Sequence, residues 1–385
     1  MMRFSTLIKN PAQWMAGMGN DHRVVVSNRI RLARNLATAP FPGWAKPDAR
    51  KHVLDRILPV VEDLPEMKNA FSKPLDNLTG LEKRVLVERH LISREHAGNS
   101  SGSALVVNRD QTLSIMINEE DHLRMQAISP GFDLRPAYQI LNEVDNALEG
   151  TLDYAFDPKL GFLTSCPSNL GTGMRASVML HLPGLVISEQ IGKVINGVNR
   201  IGLAVRGLFG EGSEAQANLF QVSNQSTLGD TETNILTRLE RIIEKIIGHE
   251  MNAREKLIEE NSSLVHDQVG RAYAALRYAH VMSSKEALNQ LSLLRFGLDC
   301  GFFQESIPDP MDLLLMEIQP AHLQLLAGEK LSPEERDTFR AEILRKKLQL
   351  LPEPDIQGGD ASLRDSRRPS KRQTRPQSPT PSDDE

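Results

Sequence analysis

An α+β fold, with an antiparallel-rich sheet flanked by helices and followed by a small all-α helical bundle, is predicted by how element signals are distributed along the chain. Across residues 24–248 short β-like runs are interspersed with helical ones, without the strict alternation of a doubly wound parallel sheet. After Asn261 the periodicity is helical throughout, and from Pro352 the chain is Pro, Ser, Arg, Gln and Asp with almost nothing apolar. Residues 1–255 therefore read as a first domain, 262–350 as a second, and 352–385 as a disordered tail.

In the first domain, residues 24–26, 104–107, 113–117 and 176–182 read as strands from β-branched content or alternation. Residues 50–61 and 136–148 read as helices. The clearest helix spans 233–248, where Ile235, Leu239, Ile242 and Ile246 share one stripe and Gly248 supplies a stop. In the second domain, 262–282 carries apolar residues at helical spacing. Ser283 to Glu286 has capping-box spacing and begins a helix towards Phe296, and 310–318 suggests another. Ser332-Pro333-Glu334-Glu335 is a further capping box, with proline at the first helical position, opening a helix to about Leu350. A small bundle buries these faces.

Composition excludes several classes. A net charge of -5 argues against a general nucleic-acid binder. No apolar run approaches the ~18 residues needed to span a bilayer, and residues 1–10 lack the apolar core of a signal peptide. The only cysteines, Cys166 and Cys300, are too few for a disulfide framework or a four-cysteine zinc site, so a cytoplasmic location is expected.

The richest stretch is Cys166-Pro167-Ser168-Asn169-Leu170-Gly171-Thr172-Gly173-Met174-Arg175-Ala176-Ser177: a thiol, a tight turn and an arginine leading into an apolar alternating segment. An acidic loop, Asn118-Glu119-Glu120-Asp121-His122, and a Gly-rich one around Arg206 and Glu211 accompany it. Arg29, Arg31, Arg124, Arg175 and Arg206 could clamp phosphate oxygens, because guanidinium is permanently cationic and binds them bidentately. A guanidinium acceptor is a difficult nucleophile. It needs one carboxylate to take a proton and another to hold its planar fork, tasks that suit Glu120 and Glu211. A thiolate at Cys166 would add negative charge facing it. Singly, each group has a plainer reading: a surface arginine, a solvated acidic turn, a buried small cysteine. Neither a G-x-x-x-x-G-K-[ST] loop nor the H-R-D and D-F-G pair is present. In the last helix, Arg336 and Arg340 are i, i+4 neighbours beside Asp337, able to grip a phosphate and a guanidinium, although a solvated helix face is the plainer reading.

SNRIRLARN at 27–35, NEEDHLR at 118–124, CPSNLGTGMRASV at 166–178 and RGLFGEGSEA at 206–215 together resemble the ordered signature of the guanidino (phosphagen) kinase superfamily. Within it the chain is most similar to the bacterial protein-arginine kinases of the McsB type, over about residues 10–350. The resemblance implies Glu120 as principal base, Glu211 as second carboxylate and Cys166 as the thiolate beside the guanidinium. The nucleotide contacts it implies are Ser27, Asn28, Arg29, Ile30 and Arg31, then His90 near the adenine, and Arg124. They continue with Arg175, Ala176, Ser177, Val178 and Met179, and with Arg206, Gly207, Leu208, Phe209, Gly210 and Glu211. It further implies a phosphoarginine-binding motif at Arg336, Asp337, Thr338, Phe339, Arg340 and Ala341. Asn28 departs from a serine common in the family. Phe209 stands where small-substrate members tend to carry arginine.

ATP is the implied phosphoryl donor, with Mg²⁺ held mainly through its phosphates rather than by protein ligands. The first arginine motif begins at Ser27, leaving no room before it for the helical lid that encloses small substrates, so protein arginines are the expected acceptors. Expected partners are protein substrates, a Clp-type AAA+ protease, a zinc-binding activator and further copies of the chain. Neither nucleic acid nor membrane is expected. Two alternatives are a kinase of free arginine and a catalytically dead phosphoarginine-binding adaptor. Arg364, Arg367, Arg368, Arg372 and Arg375 of the tail are expected sites of autophosphorylation.

Overall fold

The computed structural model describes residues 2–15, 19–99, 101–207, 216–303 and 311–355. Its strands are β1 (Val25–Arg34), β2 (Phe71–Pro74), β3 (Ala104–Val107), β4 (Leu113–Ile117), β5 (Leu123–Pro130), β6 (Phe156–Asp157), β7 (Gly161–Phe162), β8 (Met174–His181), β9 (Leu203–Gly207) and β10 (Leu219–Asn224). Eight of them form one sheet, in the order β2-β3-β4-β5-β1-β8-β10-β9, while β6 and β7 make a separate hairpin. Every neighbouring pair in the large sheet is antiparallel, as the mixed element order predicts.

Strand alternation gives the sheet two chemically distinct faces. On β1, Ile30 and Leu32 point into the core beside Ala176 and Val178 of β8 and Met125 and Ala127 of β5. This apolar face is covered by α2 (Pro47–Glu62), α5 (Leu134–Glu149) and α8 (Glu232–Glu260) through residues such as Ile57, Leu141 and Leu239. Arg29 and Arg31 alternate with them and occupy the opposite face. At the β2–β4 edge that face is covered by α1 (Phe4–Lys9), α3 (Gly80–Glu88) and α4 (Arg94–Gly98), where Leu7 and Leu86 meet Leu105, Val107 and Met116.

The helices α6 (Pro183–Ile187) and α7 (Ile191–Arg200) follow β8, and the second domain holds α9 (Ser262–Tyr278), α10 (Ser284–Asp299), α11 (Met311–Glu317), α12 (Pro320–Ala327) and α13 (Pro333–Lys347). Both serines of the expected capping boxes act as N-caps, and one forms the reciprocal box. Ser283 accepts from the N–H of Glu286, and Ser332 and Glu335 form a full reciprocal box.

Three expectations about elements need correction. Gly248 does not end its helix: α8 runs 29 residues, because Ala253 and Leu257 continue the buried stripe beyond it. The glycine costs the exposed helix face about 1 kcal/mol, which packing outweighs. The strand signal at 24–26 was the start of a ten-residue strand whose polar alternate positions disguised it. A helix between the third and fourth of the bundle, α12, was not anticipated, although Pro320 at its first turn and Gly328 with φ 75° just past its end are start and stop signals. The sheet and the bundle share a core: Leu257 of α8 and Val26 and Leu219 of the sheet region pack among the bundle residues. No helix among the described residues is long and apolar enough to cross a membrane.

Candidate active site

The polar face of the sheet gathers the arginines by register. Arg31 of β1 lies directly opposite Arg175 of β8, and Arg29 opposite Ser177. On the other side, Arg124 of β5 pairs with Ala33, the next position on β1 after the pair. Arg206 stands opposite Gln221 on the β9–β10 edge. Ser27, Arg29, Arg31, Arg124, Ser177, Met179 and Arg206 all line one cleft of about 1270 Å³. Crowding has an electrostatic consequence. Burial, then the charges of Arg124 and Arg175, lower Arg29 to about 10. Burial and three neighbouring arginines lower Arg31 as well, against a smaller opposing effect from Glu119. The Nε of Arg31 is buried without a hydrogen-bond partner. Like charges held this close, with a donor unmet, form a site for a polyanion such as a triphosphate.

His90 lines the same cleft just past the end of α3, in a left-handed conformation with φ 58°. Its carbonyl accepts from Gln126 Nε2 at 2.7 Å, and its ring lies 5.9 Å from that of Trp14. Burial, with Arg29 nearby, lowers its imidazole to about 4, which favours the uncharged ring at pH 7. The far wall comes from the second domain, where Leu315, Met316, Gln319 and Pro320 also line the cleft.

The acidic loop sits at the end of the arginine row. Glu119 is buried, accepts from Arg124 Nη1 at 2.7 Å and from Ser93 Oγ at 2.5 Å, and also receives the N–H of Glu120. Burial alone would raise it, but Arg124 and these hydrogen bonds bring it down to about 2. Glu120 is different. Its side chain is 43% exposed and stands 3.9 Å from Arg124. Partial burial raises it, as do Asp121, Glu119 and Glu95, with Arg124 opposing. An accessible carboxylate with a raised affinity for protons is suited to general-base work.

Asp121 ties this loop to the cysteine turn: its Oδ1 accepts from Asn35 Nδ2 and from the N–H of Ser165, each at 2.7 Å. Ser165 Oγ in turn donates to the carbonyl of Glu120 at 2.8 Å. Cys166, half-buried and unbridged, is thereby held beside the proposed base, with its Sγ 3.0 Å from Ser168 Oγ. The two glycines of the turn are required by close approach. Both have positive φ, and a Cβ would meet the Thr227 carbonyl at 2.7 Å at Gly171 and Arg34 Nη1 at 2.5 Å at Gly173.

Several predicted residues lie elsewhere. The side chains of Ile30, Ala176 and Val178 point into the core, away from the cleft, because the strand period places them between the arginine positions. Asn28 is also buried and donates to the Gly131 carbonyl at 2.9 Å, a structural bond. Arg175 donates to Ser223 Oγ at 3.2 Å. Gly207 ends β9, whereas Leu208, Phe209, Gly210 and Glu211 lie outside the described residues, as do the tail arginines.

On α13 the spacing predicts Arg336 and Arg340 projecting together, and the structure corrects this. Arg340 is 1% exposed and turned inward, donating from Nε to the Ile318 carbonyl and from Nη1 to the Met282 carbonyl and Asp337. Arg336 remains half-buried at the helix start, bonded to the Leu331 carbonyl. Thr338 is exposed and bonds the Glu334 carbonyl, Phe339 is half-buried and Ala341 is in the bundle core.

Sequence reasoning missed Ser93 and Glu119 as supports of Arg124, Gln126 and Trp14 beside His90, and the contribution of the second domain. Adjacency within the acidic loop was the one available signal, for Glu119. The others depend on contacts between distant segments. No group of three or more His, Cys, Asp or Glu side chains among the described residues converges as a metal site.

Two family models match the chain. The ATP:guanido phosphotransferase C-terminal catalytic domain matches residues 52–253, and the protein-arginine kinase McsB C-terminal domain matches 262–359. The chain is 44% identical to the protein-arginine kinase of Halothermothrix orenii over 342 residues, covering 89% of this chain and 98% of that one. It is 44% identical to that of Brevibacillus brevis, covering 89% and 97%. Among solved structures, lombricine kinase superposes with a TM-score of 0.54 at 25% identity, covering 61% of this chain and 68% of the other. The substrate-free duplicated taurocyamine kinase from Schistosoma mansoni, at 22% identity, matches with a TM-score of 0.53 over 80% of this chain and 51% of that one, a likeness of fold.

Proposed function

The chain belongs to the ATP:guanido phosphotransferase family, in its protein-arginine kinase branch, and on that premise we propose that it phosphorylates arginine side chains of proteins on a guanidino nitrogen. The observation that carries the reading is the continuity of the site: a row of buried, crowded arginines ends at an accessible carboxylate whose affinity for protons is raised.

ATP, when bound, would supply the γ-phosphoryl group, and Mg²⁺ would offset the charge of its phosphates. Arg29, Arg31, Arg124 and Arg206 hold the phosphates, and Arg175 adds positive charge from the neighbouring strand. Glu119 keeps Arg124 in place, and His90 with Trp14 offers an apolar wall to the base. Glu120 accepts a proton from the acceptor guanidinium as its nitrogen forms the N–P bond and the P–O bond to ADP breaks. Cys166 and Glu211 orient the planar fork and favour its positive charge. In this reading Arg336 and the outer edge of α13 receive phosphoarginine.

Incubating the protein with ATP and either unfolded casein or free arginine, followed by phosphorus NMR under acid-free conditions, tests the proposal. A phosphoramidate on casein is the expected product. A phosphoramidate on free arginine alone would favour the small-substrate alternative, and none on either would favour the adaptor. Titration with phosphoarginine should give binding that is lost in Arg336→Ala. Delivery of marked proteins to a Clp-type AAA+ protease, a zinc-binding activator, self-association and a cytoplasmic site of action complete the reading. These rest on the resemblance to the McsB type, and affinity capture with each purified partner tests the first two.

A further inference from the structure

The end of α3 meets the start of α12 at a buried histidine. His322 of α12 is 5% exposed and lies between two consecutive residues of the first domain. Its Nδ1 is 2.7 Å from Glu88 Oε2, and its Nε2 is 3.2 Å from Arg89 Nε. Because Arg89 can only donate and Glu88 accepts, the ring carries its proton on Nδ1. Glu88 additionally caps α12, accepting the backbone N–H of Ala321 at 2.8 Å and of His322 at 3.0 Å.

These two residues set the position of the cleft wall. Arg89 is 3% exposed, and its guanidinium also donates to the carbonyls of Leu7, Ile8 and Asn10 and to Gln111 Oε1. It therefore fixes the segment that delivers Trp14. The next residue after Arg89 is His90, whose ring faces Trp14. Met316 of α11 closes the same apolar cluster around Trp14 and Ile128. The His322 imidazole is thus the side chain of α12 that touches both Glu88 and Arg89, next to the residues that carry the wall.

We propose that His322 is a positioning residue for nucleotide binding, holding through Glu88 and Arg89 the Trp14–His90 wall against which the base of ATP rests. The inference rests on the nucleotide-cleft reading given above. It acts on binding rather than on phosphoryl transfer, since neither His322 nor its partners reach the acidic loop or the cysteine turn.

Trp14 supplies its own reporter. The chain has two tryptophans, and Trp44 is 90% exposed, so Trp44→Phe leaves Trp14 as the sole emitter. In that background, ATP titration of Trp14 emission and steady-state kinetics on casein are compared for His322, His322→Ala and His322→Asn. The expected result for alanine is a rise of about tenfold in both the titration midpoint and the KM for ATP, with kcat within about twofold. Asparagine, whose amide can donate to Glu88, should recover part of the affinity. Equal midpoints for all three would overturn the inference, as would a fall in kcat with KM unchanged. Should alanine fail to fold, as read by thermal unfolding, asparagine against the parent decides by the same criteria. If the Trp44→Phe parent itself neither responds to ATP nor turns over, the nucleotide-cleft reading fails and takes this inference with it. That outcome is distinguishable from the others by the parent alone.

Discussion

Glu119 and Glu120 are consecutive residues that burial would push in the same direction, yet Arg124 and Ser93 reverse it for the first and not for the second. This separates a fixed anion from a proton acceptor within one loop. Glu120→Gln is expected to lower kcat by about 10²–10⁴-fold with nucleotide binding retained, measured by phosphoramidate formation beside ATP titration. In the parent, kcat should fall as pH drops through the raised value of Glu120, because the base becomes protonated. A stability effect with a different window belongs to Glu119. Its folded-state value, about 2, lies below the ordinary 4.5, so its contribution is complete above 4.5 and is lost as pH falls from there towards about 2. Urea unfolding across that range should show Glu119→Gln lacking part of the parent's acid-side slope. At this scale the sequence offers candidate residues by their chemistry and says little about where their side chains point. The arginines were named because their chemistry is distinctive. The inward turn of Arg340 depends on carbonyls of Ile318 and Met282, 22 and 58 residues away, which no local pattern encodes.

Elements were legible in proportion to the purity of their period. Strands β3 and β4 lie where β-branched content places them. The first strand is legible only at its apolar start, since Arg29 and Arg31 interrupt the hydrophobic signal. Gly248 shows the converse, a local stop signal overridden by packing along α8. Nothing lies within 4 Å of a Cβ built at this exposed position. Gly248→Ala should therefore stabilise the protein by about 1 kcal/mol, seen as a higher urea midpoint with unchanged slope. Gly173→Ala is expected to do the opposite and to reduce turnover, because its Cβ would displace Arg34 at the base of the cysteine turn.

At the scale of the molecule, the domains are joined by buried charge as well as by apolar packing. Arg254 of α8 is fully enclosed, with its Nε 2.6 Å from Glu250 Oε1 and its Nη1 3.3 Å from Asp299 of α10. Glu250 also accepts the N–H groups opening α6, at 2.9 Å from Gly184 and Leu185. Arg295 of α10 pairs with Asp312 and donates to the His22 carbonyl at 2.9 Å. Glu250→Ala removes the nearer of the two carboxylates that face the buried Arg254 and leaves the N–H groups of Gly184 and Leu185 unmet, which should cost about 3–5 kcal/mol by urea unfolding. One cooperative transition is expected for the parent, since the network spans both domains. The change of character after Asn261 carries no hint of this junction, whose partners are separated by up to 273 residues.

The far wall of the cleft, contributed by Leu315, Met316 and Gln319, has a pharmacological corollary. On the proposed nucleotide-cleft reading, an adenine-mimicking inhibitor extended by a hydrophobic arm towards α11 would engage a surface that a guanidino kinase without such a bundle does not possess. Selectivity among otherwise similar phosphotransferases would then come from the appended domain, and Met316→Ala would be the resistance substitution to look for first.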